Sequence, residues 1–295
     1  MTKEKIGFIG TGVMGQSMAG HLIDAGYEVL VYTRTKTRAQ ALLEKGANWK
    51  ETVQEVAEQS DVIITMVGYP HDVKEIYLGK EGIIHNAKKG CYTIDMTTSS
   101  PILAREIYQA AKEKQHIHAL DAPVSGGDIG AQNATLAIMV GGDAEAFSAV
   151  TPILEKMGTN IVLQGSAGAG QHTKMCNQIA IASNMMGVCE AILYAEKAGL
   201  DPNTVLKSIE TGAAGSWSLS NLAPRMIKGD FEPGFYIKHF IKDMKIAIES
   251  AQEMELYTPG LKLAKSLYEQ LEKQGDDNKG TQALYTLLKQ HALTV

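Results

Sequence analysis

The stretch Ile6-Gly7-Phe8-Ile9-Gly10-Thr11-Gly12-Val13-Met14-Gly15-Gln16-Ser17-Met18-Ala19 decides the fold. A short β-forming run at 6–9 leads into Gly10-x-Gly12-x-x-Gly15, and an amphipathic segment at 14–25 follows and stops at Gly26. A second β-rich run at 28–32 completes a strand–helix–strand unit. In that setting each glycine has its own task. The first makes the turn, the second admits close approach of backbone to a pyrophosphate, and the third lets the helix pack on the strand. Free N–H groups and the dipole at the helix start favour the anion. Without this context the glycine pattern reads as a structural turn. With it, Gly10, Thr11, Gly12, Val13, Met14 and Gly15 are expected to hold a dinucleotide.

The end of the second strand bears on the ribose. It reads Tyr32-Thr33-Arg34-Thr35-Lys36, with no Asp or Glu to accept bonds from ribose hydroxyls. A carboxylate would repel a 2′-phosphate, whereas Arg34 makes bidentate charged bonds to one and Thr33 and Thr35 add hydroxyl donors. NADP is therefore the expected cofactor, with NAD as the alternative. A solvated basic helix start would look the same in sequence.

The alternation continues to about Gly165. Further β-rich runs lie at 62–67, 92–96, 118–121, 135–140 and 161–163, with amphipathic segments at 38–45, 53–58, 102–114 and 144–157. Gly26, Gly46 and Gly158 read as helix stops. Near-continuous apolar strands with helical crossovers imply a mostly parallel sheet covered on both faces. After Gly170 the strand signal ends. One helix is expected over 171–197, interrupted only by Gly187 and about 40 Å long. Helical patterns follow at 202–210, where Asp201 is the cap and Pro202 the first-turn residue, and at 218–227, 236–254, 261–273 and 281–293. The fold class is α/β, with a nucleotide-binding domain over 1–165 and an all-helical domain over 166–295. The boundary falls in Gly165-Ser166-Ala167-Gly168-Ala169-Gly170.

Composition excludes several classes. Of 295 residues, 28 are basic and 33 acidic, a net charge of −5, which argues against nucleic acid or an anionic membrane as partner. The 29 glycines, 8 prolines and 6% aromatics suit an α/β chain better than a β-sandwich or a disordered segment. Cys91, Cys176 and Cys189 stand far apart, with no CxxC and no zinc spacing, so buried thiols in a reducing compartment and no metal are expected. The start of the chain has no signal-peptide core, and the apolar stretch 179–195, with Ser183, Asn184 and Glu190, is too short and polar for a membrane span. A cytoplasmic protein is expected.

Two further stretches carry possible chemistry. Asp121-Ala122-Pro123-Val124-Ser125-Gly126-Gly127 leaves the sheet at a strand end, where ligands of open α/β folds gather. Ser125 Oγ and the N–H groups of Gly126 and Gly127 could bind a carboxylate, although spacing alone reads as an ordinary turn. In the long helix, Lys174, Asn177 and Gln178 share one face at spacings of three and four. A lysine near the start of a helix rich in Ile, Met and Ala is unusual, because desolvation there would lower its pKa toward a useful general-acid value. A lysine taken at random is a surface residue. His172 and Cys176 stay open between core and surface.

Together, GFIGTGVMGQSMAGHL, DMTTSSP, DAPVSGG, GAGQHTKMCNQ and FIKDMKIA resemble the β-hydroxyacid dehydrogenases, in the family's order and over nearly the whole chain. The resemblance implies an N-terminal Rossmann domain joined by one long helix to an all-helical domain that also serves dimerisation. It implies that Lys174 is the catalytic lysine and that Ser125, Gly126 and Gly127 form the substrate-carboxylate loop. Thr98 matches a threonine on the substrate and cofactor side, with Thr97 where serine is usual. Asp243 is implied at the substrate, and Lys242 and Val67 at the cofactor. Asn177 and Gln178 stand where the family has two asparagines, so Gln178 is a departure. The implied reaction moves a hydride between a nicotinamide and a short hydroxy or oxo acid. Succinic semialdehyde, glyoxylate and tartronate semialdehyde are favoured over branched 3-hydroxyisobutyrate, because a longer Gln178 would narrow the pocket or change which hydroxyl is read. A homo-oligomer is expected. The rivals are an NAD-dependent 3-hydroxyisobutyrate dehydrogenase, an imine reductase and a non-catalytic cofactor-binding protein. The last two would be expected to lack the lysine, and a phosphorylated sugar-acid substrate would want a larger, more basic helical domain.

Overall fold

A computed structural model describes residues 3–114 and 116–293. They form two compact units, Met1–Lys174 and Met175–Val295.

In the first unit the strands are β1 (Lys5–Ile9), β2 (Glu28–Tyr32), β3 (Asn48–Trp49), β4 (Val62–Thr65), β5 (Tyr92–Asp95), β6 (His118–Asp121), β7 (Val124–Ser125), β8 (Leu136–Gly141) and β9 (Gly158–Gly165). They make one sheet in the order β3-β2-β1-β4-β5-β6-β8-β7, with β9 paired to β8. Pairing is parallel from β3 to β6 and again between β8 and β9, while β6 and β7 meet β8 antiparallel. The helices are α1 (Val13–Asp24), α2 (Gln40–Glu44), α3 (Val53–Gln59), α4 (Pro70–Leu78), α5 (Ile83–Asn86), α6 (Pro101–Glu113), α7 (Gly127–Gln132) and α8 (Ala144–Leu154). Two apolar clusters cover the sheet. One gathers Phe8, Met18, Val31, Ile64, Ile94 and Val140, and the other Ile9, Val56, Ile63, Val73, Tyr77 and Leu103. Ile63 and Ile64 are neighbours on one strand and sit in different clusters, which is the period of two that buries both faces of a parallel sheet.

Several expectations change. The strand expected over 62–67 ends at Thr65, because the Val67 N–H turns to Thr97 Oγ1 at 3.0 Å. Gly158 does not stop a helix. α8 ends at Leu154, and Gly158 opens β9, where a Cβ would clash with Leu136 O and Ile138. The segment expected as a helix over 38–45 starts as a 3-10 turn, Lys36–Ala39. The elements β3, β7, α4, α5 and α7 were not expected; they have two to nine residues and leave little periodicity to read.

α9 (Ala169–Lys197) begins in the first unit and continues into the second. Gly187 does not interrupt it. At 29 residues it is, by length and composition, long and apolar enough to cross a membrane, a test that the core helix of a soluble protein also passes. Its Met175, Ala182, Met185, Val188, Cys189 and Ile192 lie in the core of the second unit. That unit continues with α10 (Pro202–Ile209), α11 (Trp217–Asn221), α12 (Ala223–Ile227), α13 (Ile237–Glu253), α14 (Pro259–Lys273) and α15 (Leu284–Leu293). The helix expected over 218–227 breaks at Leu222, and Pro224 falls in the first turn of the next helix, where its missing N–H costs no hydrogen bond. The one expected over 281–293 opens as a 3-10 turn, Thr281–Ala283.

The Gly165–Gly170 stretch, where the boundary was expected, is closely packed. Gly168 has φ +89°, and a Cβ on Gly170 would run into Met139 O and both the backbone and side chain of Asp121. These close approaches fix the first turn of α9 to the sheet.

Candidate active site

The turn from β1 to α1 follows from Gly10, whose φ of +97° is costly for any residue with a Cβ. Added carbons at Gly10 and Gly15 would collide with Met66 O and Gly10 O, while one at Gly12 would meet nothing within 4 Å. Val67 Cγ1 backs the turn, 2.9 Å from a Cβ placed on Gly10. Val13 is exposed and Met14 half-buried. Thr11 Oγ1 is buried with no hydrogen-bond partner among the described residues. An unused hydroxyl, open space at Gly12 and the start of a twelve-residue helix with no side-chain cap fit a dinucleotide pyrophosphate.

Thr33 is half-buried, and Arg34 and Thr35 are exposed, past the end of β2. Arg34 meets a partner that sequence reading missed. Its Nη1 donates to Asp72 Oδ1 at 3.2 Å, with the Arg34 side chain 79% exposed and that of Asp72 9%. Asp72 Oδ2 accepts from Tyr69 N–H at 3.2 Å, so the carboxylate is held in the first turn of α4. An acid thus reaches the end of β2 from another element.

At the other strand ends, Asp95 and Asp121 are register partners on β5 and β6. Burial pushes the Asp95 carboxyl up to about 6, against hydrogen bonds from Thr65 Oγ1 at 2.8 Å and Thr97 N–H at 3.1 Å. Burial also raises Asp121, against N–H bonds from Gly168 at 2.7 Å and Gln171 at 2.8 Å. Those bonds place a carboxylate where the orphan donors and positive end of α9 need one. Thr97 is buried and structural, since its Oγ1 accepts from Val67 N–H. Thr98, the next residue, is half-buried.

Lys174 is 7% exposed, and its Nζ donates to Val124 O at 2.8 Å. The ammonium therefore lies beside the segment that continues as Ser125, Gly126 and Gly127. The chain turns there through Gly126 at φ +131° into α7. Within the first unit, the lysine and the loop that sequence reading linked are brought together.

In the second unit, Gln178 Nε2 donates to Asp243 Oδ2 at 2.6 Å, and Gln178 Oε1 accepts from Asn177 Nδ2 at 2.7 Å. Gln178 is wholly buried and tied to both neighbours. Lys242 Nζ lies 3.0 Å from Asp243 Oδ1 as an ion pair without hydrogen-bond geometry. Burial, then Lys242, lower the His239 imidazole below its ordinary range. Sequence reading missed Gln171, Asp95 and Asp72. Only the position of Asp95 at a strand end gave a signal.

Residues 5–165 match the NAD binding domain of 6-phosphogluconate dehydrogenase. Residues 168–288 match the model described as NAD-binding of NADP-dependent 3-hydroxyisobutyrate dehydrogenase. The chain is 66% identical to an uncharacterized oxidoreductase, YkwC, of Bacillus subtilis strain 168, over 97% of this chain and 99% of that protein. It is 40% identical to 2-hydroxy-3-oxopropionate reductase of Escherichia coli K12, over 97% of each. Among solved structures, Mycobacterium tuberculosis 3-hydroxyisobutyrate dehydrogenase with L-serine superposes with a TM-score of 0.89 at 30% identity, covering 97% of this chain and 99% of that one. Glycine turn, buried lysine and helical second unit thus occur together in a chain that belongs to the β-hydroxyacid dehydrogenase family.

Proposed function

We propose that the chain is an NADP(H)-dependent reductase or dehydrogenase of short hydroxy acids and their semialdehydes, with Lys174 as the acid–base residue. The observation that carries this is the buried Lys174, whose Nζ sits 2.8 Å from Val124 O at the root of the Ser125 loop. When bound, a nicotinamide supplies or accepts the hydride. In reduction, Lys174 Nζ gives its proton to the carbonyl oxygen as negative charge develops there. In oxidation, neutral Lys174 takes the proton of the substrate hydroxyl. Ser125, Gly126 and Gly127 hold the substrate carboxylate, with Thr98 on the same side. Asn177 and Asp243 orient the substrate, and Gln178 fixes both. Gly10–Gly15, Thr33, Thr35, Val67 and Lys242 hold the cofactor. Tartronate semialdehyde, succinic semialdehyde and glyoxylate are favoured over branched 3-hydroxyisobutyrate, and the small side chains of the Ser125 loop support this. So does the name of the E. coli relative, 2-hydroxy-3-oxopropionate reductase.

Arg34, mostly exposed and able to turn from Asp72 toward a 2′-phosphate, supports NADP(H). Asp72 supports a second reading, NAD(H), because it brings to the end of β2 the carboxylate that β2 lacks. A panel of small hydroxy and oxo acids, each with NADPH, NADP, NADH and NAD, tests both by the absorbance of the reduced nicotinamide. Turnover confined to acids bearing a carboxylate near the reacting carbon supports the reading; equal rates on neutral aldehydes contradict it.

The proposal extends to a homo-oligomer in a reducing, cytoplasmic compartment, with no membrane or nucleic-acid partner. Tyr194, Leu200, Trp217, Tyr257 and Leu263 of the second unit are all more than half exposed, apolar side chains of the kind that a second copy covers. Cys91, Cys176 and Cys189 are free, and burial pushes the Cys91 thiol up to about 12, as suits an inert buried cysteine.

A further inference from the structure

Gln171 is wholly buried, and its side-chain amide serves the segment after β5 as a strand partner would. Nε2 donates to Thr97 O at 2.7 Å, and Oε1 accepts from Ser99 N–H at 2.9 Å. Those two backbone groups flank Thr98, so the chain is pinned on both sides of it. The orientation of the amide is not free, because only its nitrogen can donate to a carbonyl and only its oxygen can accept from an N–H. The backbone of Gln171 is held in turn, with its N–H on Asp121 Oδ2 at 2.8 Å. Three residues further along α9, Lys174 Nζ donates to Val124 O. Val67 N–H joins through Thr97 Oγ1. One buried set of hydrogen bonds therefore ties together the loop after β4, the Thr98 loop, the strand end that leads to Ser125, and the helix start that carries Lys174. In a low-dielectric interior such a set holds geometry tightly when each group is satisfied.

We propose that Gln171 is a positioning residue that sets Thr98 relative to Lys174. This rests on the reading in which both residues face the reacting substrate. Gln171 touches neither substrate nor cofactor; it acts through the backbone around Thr98. Misplacing a reacting or binding group by about 1 Å can cost about 100-fold in rate.

The test uses the full chain with Gln171→Met, which keeps the length and removes both bonds, and Gln171→Glu, which keeps the acceptor for Ser99 N–H and loses the donor to Thr97 O. Steady-state kinetics on the best acid, cofactor affinity by fluorescence titration, and amide hydrogen exchange at 97–99 are measured. The Met variant should lose about 10- to 100-fold in kcat/KM, mostly in kcat, with cofactor affinity unchanged. The Glu variant should fall between, and Ser99 should exchange faster in the Met variant, which alone loses its acceptor. In a Thr98→Ala background, Gln171→Met should cost far less than in wild type, since residues acting as one are not additive. A full-sized loss in that background, or unchanged kcat/KM in a folded Met variant, overturns the proposal. If the Met variant does not fold, the near-isosteric Glu variant carries the same comparison. A wild type inactive on every acid defeats the functional reading instead. Exchange then decides alone, and unchanged protection of Ser99 in the Met variant overturns the positioning claim.

Discussion

On the proposed reading, the Arg34–Asp72 pair bears on the choice between the two cofactors. With the Arg34 side chain 79% exposed and Asp72 still held by the Tyr69 N–H, the pair contributes little to stability, so Arg34→Ala should leave the melting temperature nearly unchanged. Its effect belongs in cofactor choice. Removing a charged donor costs about 1.5–3 kcal/mol, so NADPH affinity should fall about 10- to 150-fold. The Asp72 carboxylate left behind should favour a free ribose, so NADH binding should hold or improve. Titration with both cofactors checks this, and equal small losses would make Arg34 a solvated helix-start residue. Asp95 carries a pH signature. Its folded carboxyl titrates near 6, above the unfolded value, so the folded state holds the extra proton and Asp95 costs stability as pH rises from about 4 to about 6. Asp95→Asn keeps an oxygen for Thr65 and Thr97. Its stability advantage over wild type should therefore grow across that window by roughly 2–3 kcal/mol and then level off, as read by denaturant unfolding at each pH. A constant difference would mean that Asp95 titrates normally. Among single residues, the sequence made Lys174, Ser125 and the glycine turn legible because their neighbours in the chain state their setting. Asp72, Asp95 and Gln171 were not legible, because their roles come from partners 38, 30 and 74 residues away.

The start of α9 is the element on which the site depends. The glycine-rich stretch before it reads in sequence as the domain boundary. In the fold it is a close-packed joint, with Asp121 capping the helix and Gly170 pressed against Met139 and Asp121. Gly170→Ala should cost about 1–3 kcal/mol by overpacking and should lower turnover as well, because Lys174 lies one turn further along. Thermal unfolding and kinetics on the same preparation check both. A stable, fully active alanine variant would show the joint to be loose. The long strands and helices were legible because they repeat a period over enough residues. The short ones, β3, β7, α4, α5 and α7, were not, and neither was the break at Leu222, where an apolar pattern continues across a proline.

At the scale of the whole molecule, the sequence pattern separates a strand-rich half from a helical half, and the fold has two compact units accordingly. The family's order of motifs made the chemistry legible. By contacts, the opening of α9 packs with the first unit. The exposed aromatic and aliphatic residues of the second unit lead to one expectation about assembly. Light scattering at micromolar concentration should give a multiple of the 31.8 kDa chain, most simply a dimer. A clean monomer would remove it. The central claim is that Lys174 moves the proton while a separate site holds the cofactor, and the most direct measurement is kcat of Lys174→Ala beside its cofactor affinity. Turnover should fall by about 10²–10⁴ with cofactor binding intact. Near-normal turnover in that variant would make Lys174 a structural lysine and contradict the account.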